Sequence, residues 1–252
     1  MASNTASAVP IQALLRKAVP ERYHRFLSGV LGRITGYRTE CYSQCGEDLT
    51  LKWLFHNVSN GFYVDVGAYH PKKFSNTYYF YRHGWSGINI DPTPGVIDLF
   101  KRARPRDINL PYAVANGSRY MTLYVNKSEG EVNTLSPDFA ALQSKLWGRK
   151  YSSEIAVRTQ TLAEILDAHK PDDHPIQFLS IDVEGLDLEV LESNNWEKYR
   201  PNVVLAEDTS LRSFERQEES EVWRFLHARG YLLVAKCVHT LVFAHSSHKT
   251  VD

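Results

Sequence analysis

The chain has 252 residues, 43% of them apolar and 23% charged, the make-up of a soluble globular protein and not of a disordered or fibrous one. Lysine plus arginine balances aspartate plus glutamate at 29 each, so no global field draws it to nucleic acid. Cys41, Cys45 and Cys237 cannot all pair within the chain and complete no zinc site, which points to reduced thiols and a cytoplasmic home.

No run approaches the ~20 apolar residues that a spanning helix needs. Charges inside "IQALLRKAVP" exclude a signal-peptide core. Residues 11–34 nevertheless repeat with helical spacing (Leu14, Leu15, Phe26, Leu27, Val30, Leu31), broken at Pro20 and accompanied by Arg16, Lys17, Arg22, Arg25 and Arg33. The pattern predicts an N-terminal helical extension over residues 1–42, ahead of one main domain over 43–252. Its helices dock on the core or on a second subunit in a homodimer. The other reading is contact with a membrane surface, near a lipid-linked substrate.

From Gly61 onward short apolar runs alternate with helical patterns. "FYVDVG" reads as a strand, "SNTYYFYRHG" as a capped helix ending at Gly84, "GINID" as a strand, and "GVIDLFKRAR" as a helix stopped before Pro105. "INLPYAV" reads as one strand whose Pro111 places it at an edge, and "YMTLYVN" as an exposed strand. Residues 127–153 form a polar stretch too long for an ordinary connection, a functional loop or lid in which Trp147 is the candidate to cover an acceptor. "TLAEILDAH" is a helix capped by Thr161, "IQFLSID" a strand, "LDLEVLES" a helix and "NVVLAED" a strand. "SFERQEESEVWRFLHARG" is one helix closed by Gly230, and "YLLVAKCV" with "HTLVFAH" makes a hairpin.

Such alternation predicts an α/β fold, a doubly wound and mostly parallel sheet with helices on both faces. Ligands of these sheets bind at the carboxyl ends of the strands. Four of the apolar strands end there in acids: Asp65, then Asp91, then Asp182 with Glu184, then Glu207 with Asp208. One such acid is a common helix cap; the series points to a ligand site.

Asp91 lies 26 residues past Asp65, where a carboxylate can accept both hydroxyls of a ribose. "VDVGAYHP" has a single glycine and builds no diphosphate cradle, which disfavours NAD and fits a nucleoside without a diphosphate, S-adenosylmethionine. Gly67 would let the backbone approach that ligand, and Asp65 would orient the loop or the ligand's ammonium.

The set "SQCGEDL", "FYVDVGAYHP", "SNTYYFY", "GWSGINIDPTP" and "FLSIDVEGLDLEVL" resembles the FkbM family of S-adenosylmethionine-dependent methyltransferases over roughly residues 43–243. The resemblance implies a class I methyltransferase (Rossmann-like) fold with a C-terminal antiparallel hairpin, and O-methylation of sugars, polyketides or glycolipids. Tyr69, His70 and Pro71 replace the family's commoner turn after the first strand. Ser75, Asn76 and Gln44 are the candidates to hold the methionine end instead.

Residues two apart on a strand project to one side, so Asp182 and Glu184 point together, with Glu207 and Asp208 beside them on the next strand. Packed carboxylates repel and need a counter-charge; oxygen-only ligands suit Mg2+, with Ca2+ or Mn2+ as competitors. The arrangement is similar to metal-dependent sugar O-methyltransferases. That likeness implies Asp182, Glu207 and Asp208 as metal ligands and Glu184 as general base. His70, in the turn after the first strand, is the rival base. Two alternatives remain beside this reading: a metal-independent methyltransferase using Glu184 or His70, and an inactive cofactor-binding scaffold.

Overall fold

The structure is a computed structural model that describes residues 39–209, 211 and 214–248. The chain divides into Met1–Cys41 and Tyr42–Asp252. The helices expected over residues 11–34 lie outside the described residues. Within Tyr42–Asp252, helix α1 (Glu47–Leu54) precedes β1 (Phe62–Val66), α2 (Tyr78–Arg82), β2 (Ser86–Ile90), α3 (Val96–Ala103) and β3 (Ile108–Leu110). Strands β4 (Ala113–Val114), β5 (Tyr120–Val125) and β6 (Ser153–Gln160) follow, with helix α4 (Pro137–Trp147) between β5 and β6. The chain continues through α5 (Leu162–His169), β7 (Ile176–Ile181), α6 (Asp187–Glu192), β8 (Val203–Glu207) and α7 (Glu221–His227), and ends in β9 (Tyr231–Cys237) and β10 (Thr240–His245).

A seven-stranded sheet runs in the order β3-β2-β1-β7-β8-β10-β9, and a three-stranded sheet in the order β4-β6-β5. In the large sheet the pairs from β3 through β8 are parallel, and β10 runs antiparallel to both β8 and β9. The period of two sends Phe62, Val64 and Val66 to the face covered by α5, α6 and α7. Tyr63 turns to the other face, where Leu51 of α1 and Phe80 of α2 pack. Truncating a buried leucine of such a core costs ~2–5 kcal/mol. Helix α5 starts on a capping box: Thr161 Oγ1 accepts from the Glu164 N–H at 3.1 Å and Glu164 Oε2 accepts from the Thr161 N–H at 2.9 Å. No helix among the described residues is long and apolar enough to cross a membrane.

Four sequence expectations need correction. "INLPYAV" is two strands in different sheets, because Pro111 can supply no ladder N–H and the chain leaves the large sheet there. Residues 127–153 are no simple loop, since they hold the 3-10 turn Gly130–Val132 and the eleven-residue α4. Its start was legible: Ser136 caps the Phe139 N–H at 3.2 Å and Pro137 opens the first turn. Strand β6 was missed although Ile155 and Val157 alternate with exposed Glu154, Ala156 and Arg158. The long helix before Gly230 is a 3-10 segment, Phe214–Glu219, and then α7, restarted by the Ser220 cap.

Candidate active site

The site begins where β1, β2 and β7 end. Asp182 N–H donates to the Val66 carbonyl at 3.0 Å and Gly67 N–H to the Ile90 carbonyl at 2.9 Å, so the three strand ends are stitched together. Gly67 has φ +81, and a Cβ there would lie 1.8 Å from the Asp182 carbonyl oxygen. Any side chain would push these ends apart. The opening that remains is a cleft lined by Gly67, Tyr69, Asp91, Asn133, Asp182 and Glu184, among others. Asp91 is buried at its floor. Its Oδ2 accepts from the Tyr69 N–H at 2.9 Å and its Oδ1 from the Thr93 N–H at 2.7 Å. Each oxygen keeps a lone pair for a ligand hydroxyl. Burial pushes this carboxyl upward, and the two N–H groups pull against that.

The outer wall of the cleft comes from the chain between β5 and α4, and each contact reaches a different strand-end turn. Tyr69 Oη donates to Glu131 at 2.9 Å, Asn133 Nδ2 to Thr93 Oγ1 at 3.3 Å, and Thr134 Oγ1 to the Glu184 carbonyl at 2.7 Å. Glu131, Asn133 and Thr134 were not singled out from the sequence. They act through side-chain bonds to turns distant in the chain, which no local periodicity reports.

Of the residues expected around the methyl donor, Gly67 and Asp91 line the cleft, whereas Asp65, Ser75, Asn76 and Gln44 are not among its lining. Asp65 faces the α1 and α2 side, where Thr77 Oγ1 donates to it at 2.8 Å. Burial holds its carboxyl at about 6. Ser75 Oγ accepts the Tyr78 N–H at 3.1 Å, and Asn76 Nδ2 donates to Ser180 Oγ at 3.0 Å. Beneath them lies the fully buried Arg104, paired with Asp107 at 2.9 Å and donating to Thr77 Oγ1 at 2.9 Å and Tyr63 Oη at 2.7 Å. These residues brace the turn after β1 from below. Gln44 is exposed in the turn before α1.

His70, the rival base, is held through one ring nitrogen. Its Nδ1 accepts the Lys72 N–H at 3.0 Å and the Lys73 N–H at 2.9 Å, so the acceptor nitrogen closes a turn. Burial, with Lys73 and Lys72 nearby, keeps the ring below its usual pKa.

The acids do converge, in a different set from the one expected. One carboxylate oxygen each from Asp182, Glu184 and Glu207 lies within 4.8 Å of the others. None of the three is in an ion pair among the described residues. Asp182 keeps solvent access at the mouth while protein crowds it. Burial first, then Glu184 and Glu207, drives its carboxyl well above the usual range. Burial and the charges of Glu207 and Asp187 push Glu184 up to about 8. Glu207 is raised by burial. Beside them the buried Asp187 accepts the Glu207 N–H at 2.9 Å through Oδ1, and burial pushes it to about 8.

Asp208, one residue past the end of β8, is not in that trio, although it lines the neighbouring pocket together with Glu207 and Asp187. It accepts a hydrogen bond from Ser220 Oγ, and Ser220 in turn caps the Trp223 N–H at 2.9 Å. Glu184 is aimed by backbone: it has φ +55, followed by Gly185 at φ +98. A non-glycine residue there costs ~1–3 kcal/mol and persists where its surroundings hold it. Thr134 supplies that hold. Phe139 of α4 packs over the turn, 3.3 Å from where a Cβ on Gly185 would lie. Arg149, near enough to temper Glu184, is itself paired with Glu129 at 3.0 Å.

A sheet with its last strand inserted antiparallel beside β8, and acids at the carboxyl ends of β1, β2, β7 and β8, defines the class I methyltransferase fold. The family model described as "Methyltransferase FkbM domain" matches residues 65–233, about two thirds of the chain. The protein therefore belongs to the FkbM methyltransferases, a family dependent on S-adenosylmethionine. Among solved structures it is similar to an O-methyltransferase from Bacillus cereus in complex with SAH, at 11% identity and a TM-score of 0.37, over 92% of this chain and 96% of that chain. No curated protein matches the sequence.

Proposed function

We propose that the protein transfers the methyl group of S-adenosylmethionine to a hydroxyl of a sugar or glycoside, with Mg2+ held at the acid cluster and Glu184 as general base. The observation that carries this reading is the meeting of Asp182, Glu184 and Glu207 within 4.8 Å, beside the cleft and with no ion-paired Lys or Arg among the described residues. The donor set fits a hard divalent cation: it offers oxygen alone, and burial and mutual repulsion raise the carboxyls' pKa values, which supports a positive charge there. Asp182 and Glu207 would hold the ion, which when bound lowers the pKa of an alcohol and fixes its position.

Gly67 and Asp91 hold the nucleoside side of the donor. The acceptor fits the pocket on the other side of the cluster, lined by Phe139, Gly185, Asp187, Leu188, Glu207 and Glu221, among others. Its aromatic and aliphatic walls suit the C–H face of a sugar ring, and its carboxylates accept hydroxyl protons. Glu184 takes the proton from the attacking hydroxyl, the oxygen forms its bond to the methyl carbon, and the C–S bond electrons leave with S-adenosylhomocysteine. Positioning of this kind can remove up to ~7–11 kcal/mol of barrier, and a general base adds about 10²–10⁴-fold.

The test is S-adenosylhomocysteine release over a panel of neutral glycosides with Mg2+ and with EDTA. Turnover that needs the metal supports the whole reading. Turnover indifferent to EDTA keeps Glu184 and removes the cation, and donor binding without turnover on any hydroxylated acceptor sinks the sugar assignment.

A further inference from the structure

The C-terminal half of helix α4 carries apolar side chains that the described residues leave half or more exposed. Of the helix's residues only Ala140 is buried. Leu142 is 50% exposed, Leu146 60% and Trp147 73%. At about 100° per residue, Leu146 and Trp147 stand two turns beyond Phe139 and Ala140, so they are exposed because the last turn of the helix runs past the part that packs on the protein, with Leu142 beside Leu146. Lys145 and Lys150 are exposed at the same end of the helix, and neither is in an ion pair among the described residues. Arg149 between them is committed to Glu129 and Gln143.

We propose that this end of α4 docks the protein on an anionic lipid bilayer, with Leu142, Leu146 and Trp147 entering the headgroup boundary and Lys145 and Lys150 meeting lipid phosphates. Two leucines, an amphipathic indole and flanking lysines are side chains that suit an anionic membrane interface. The size of the patch also argues against a second copy. Three side chains fall far short of the ~800 Å² per partner that a stable protein interface buries. Phe139, on the same helix, packs on Gly185 next to Glu184. Docking through α4 therefore brings the acid cluster to the membrane surface, where an acceptor anchored in lipid would be presented.

The experiment is co-sedimentation of the full chain with vesicles of phosphatidylcholine alone and of phosphatidylcholine with phosphatidylglycerol. The expected result is roughly ten-fold tighter binding to the anionic vesicles, weakened by salt. The triple variant Leu142→Ser, Leu146→Ser, Trp147→Ser should lose that binding while its Tm and S-adenosylhomocysteine affinity stay unchanged. The pair Lys145→Glu, Lys150→Glu should lose the preference for anionic lipid. Three outcomes overturn the proposal: a wild-type chain that stays in the supernatant, vesicle binding that survives the triple variant and so belongs elsewhere in the chain, or a concentration-dependent dimer that the triple variant abolishes.

Discussion

Gly67 and Asp182 meet backbone to backbone at the floor of the site: a Cβ on Gly67 would stand 1.8 Å from the Asp182 carbonyl oxygen. The contact fixes how closely β1 and β7 end together, and so where the carboxylate of Asp182 stands relative to the cleft. Gly46 is a natural control. It has φ +93, near the +81 of Gly67, but nothing lies within 4 Å of its added Cβ. Gly46→Ala should therefore cost ~1 kcal/mol of backbone strain, and Gly67→Ala at least ~3 kcal/mol with loss of S-adenosylhomocysteine binding. Urea unfolding of the two variants compares them directly, and equal losses would show that the contact is not tight.

Asp91 satisfies two backbone N–H groups as well as facing the cleft. Asp91→Ala leaves those N–H groups without acceptors at a cost of ~1–3 kcal/mol, and should weaken S-adenosylhomocysteine binding roughly ten- to hundred-fold by calorimetry. Asp91→Asn retains an acceptor and should fall between. Donor affinity unchanged in both variants would move the ribose elsewhere.

The cation reading separates Glu207 from Asp208. Glu207→Gln removes a member of the trio and should weaken Mg2+ binding by ten-fold or more, on the order of a lost charge-assisted ligand. Asp208→Asn, at a carboxylate outside the trio and bonded to Ser220, should leave it unchanged. Mg2+ isotherms for the two variants decide between them.

The same cluster sets a pH dependence of stability. A carboxyl whose folded pKa is raised holds its proton more tightly when folded. Its contribution is full below the unfolded value, near 4.5 for Glu184, and is lost as pH climbs through the folded value of about 8. The metal-free protein should lose Tm between about pH 5 and pH 8, by on the order of 5 °C. Mg2+ should restore more at pH 8 than at pH 5, and at intermediate pH its binding should release protons, visible as a buffer-dependent calorimetric heat. A metal-free Tm that rises over this interval would remove the repulsion on which the site is argued.

Glu184→Gln keeps the shape of the turn and removes the base. Turnover should drop about 10²–10⁴-fold with donor affinity intact, and the rise of rate with pH expected of the wild type should flatten. Thr134→Val, which deletes the hydroxyl holding the Glu184 carbonyl, should lower kcat with little effect on donor KM, and Thr134→Ser should restore it. Normal turnover in Glu184→Gln would return the role to another group.

Much of the fold was legible because its signals are local. Apolar runs of five or six residues alternating with helical spacing, a Thr161 cap with Glu164 three residues on, and Gly230 before the hairpin each act on neighbours in the chain. Strand β6 shows the limit. Its alternation is real, but it is weak, with only Ile155 and Val157 turned inward as apolar residues, and it takes its place through pairing with β5 and β4.

The chain's own order of residues determined the α/β alternation, the acids at four strand ends, and the single glycine that lets β1 approach β7, since each depends on stereochemistry within a few residues. Which acids meet was decided by tertiary structure. Strand order sets β1, β7 and β8 side by side, the end of β8 brings Glu207 to the trio while Asp208 bonds to Ser220 ahead of α7, and Thr134, fifty residues from Glu184, holds that residue in a backbone conformation it would not keep alone. Such pairings are enforced by packing between distant segments, and distance along the chain carries no record of them.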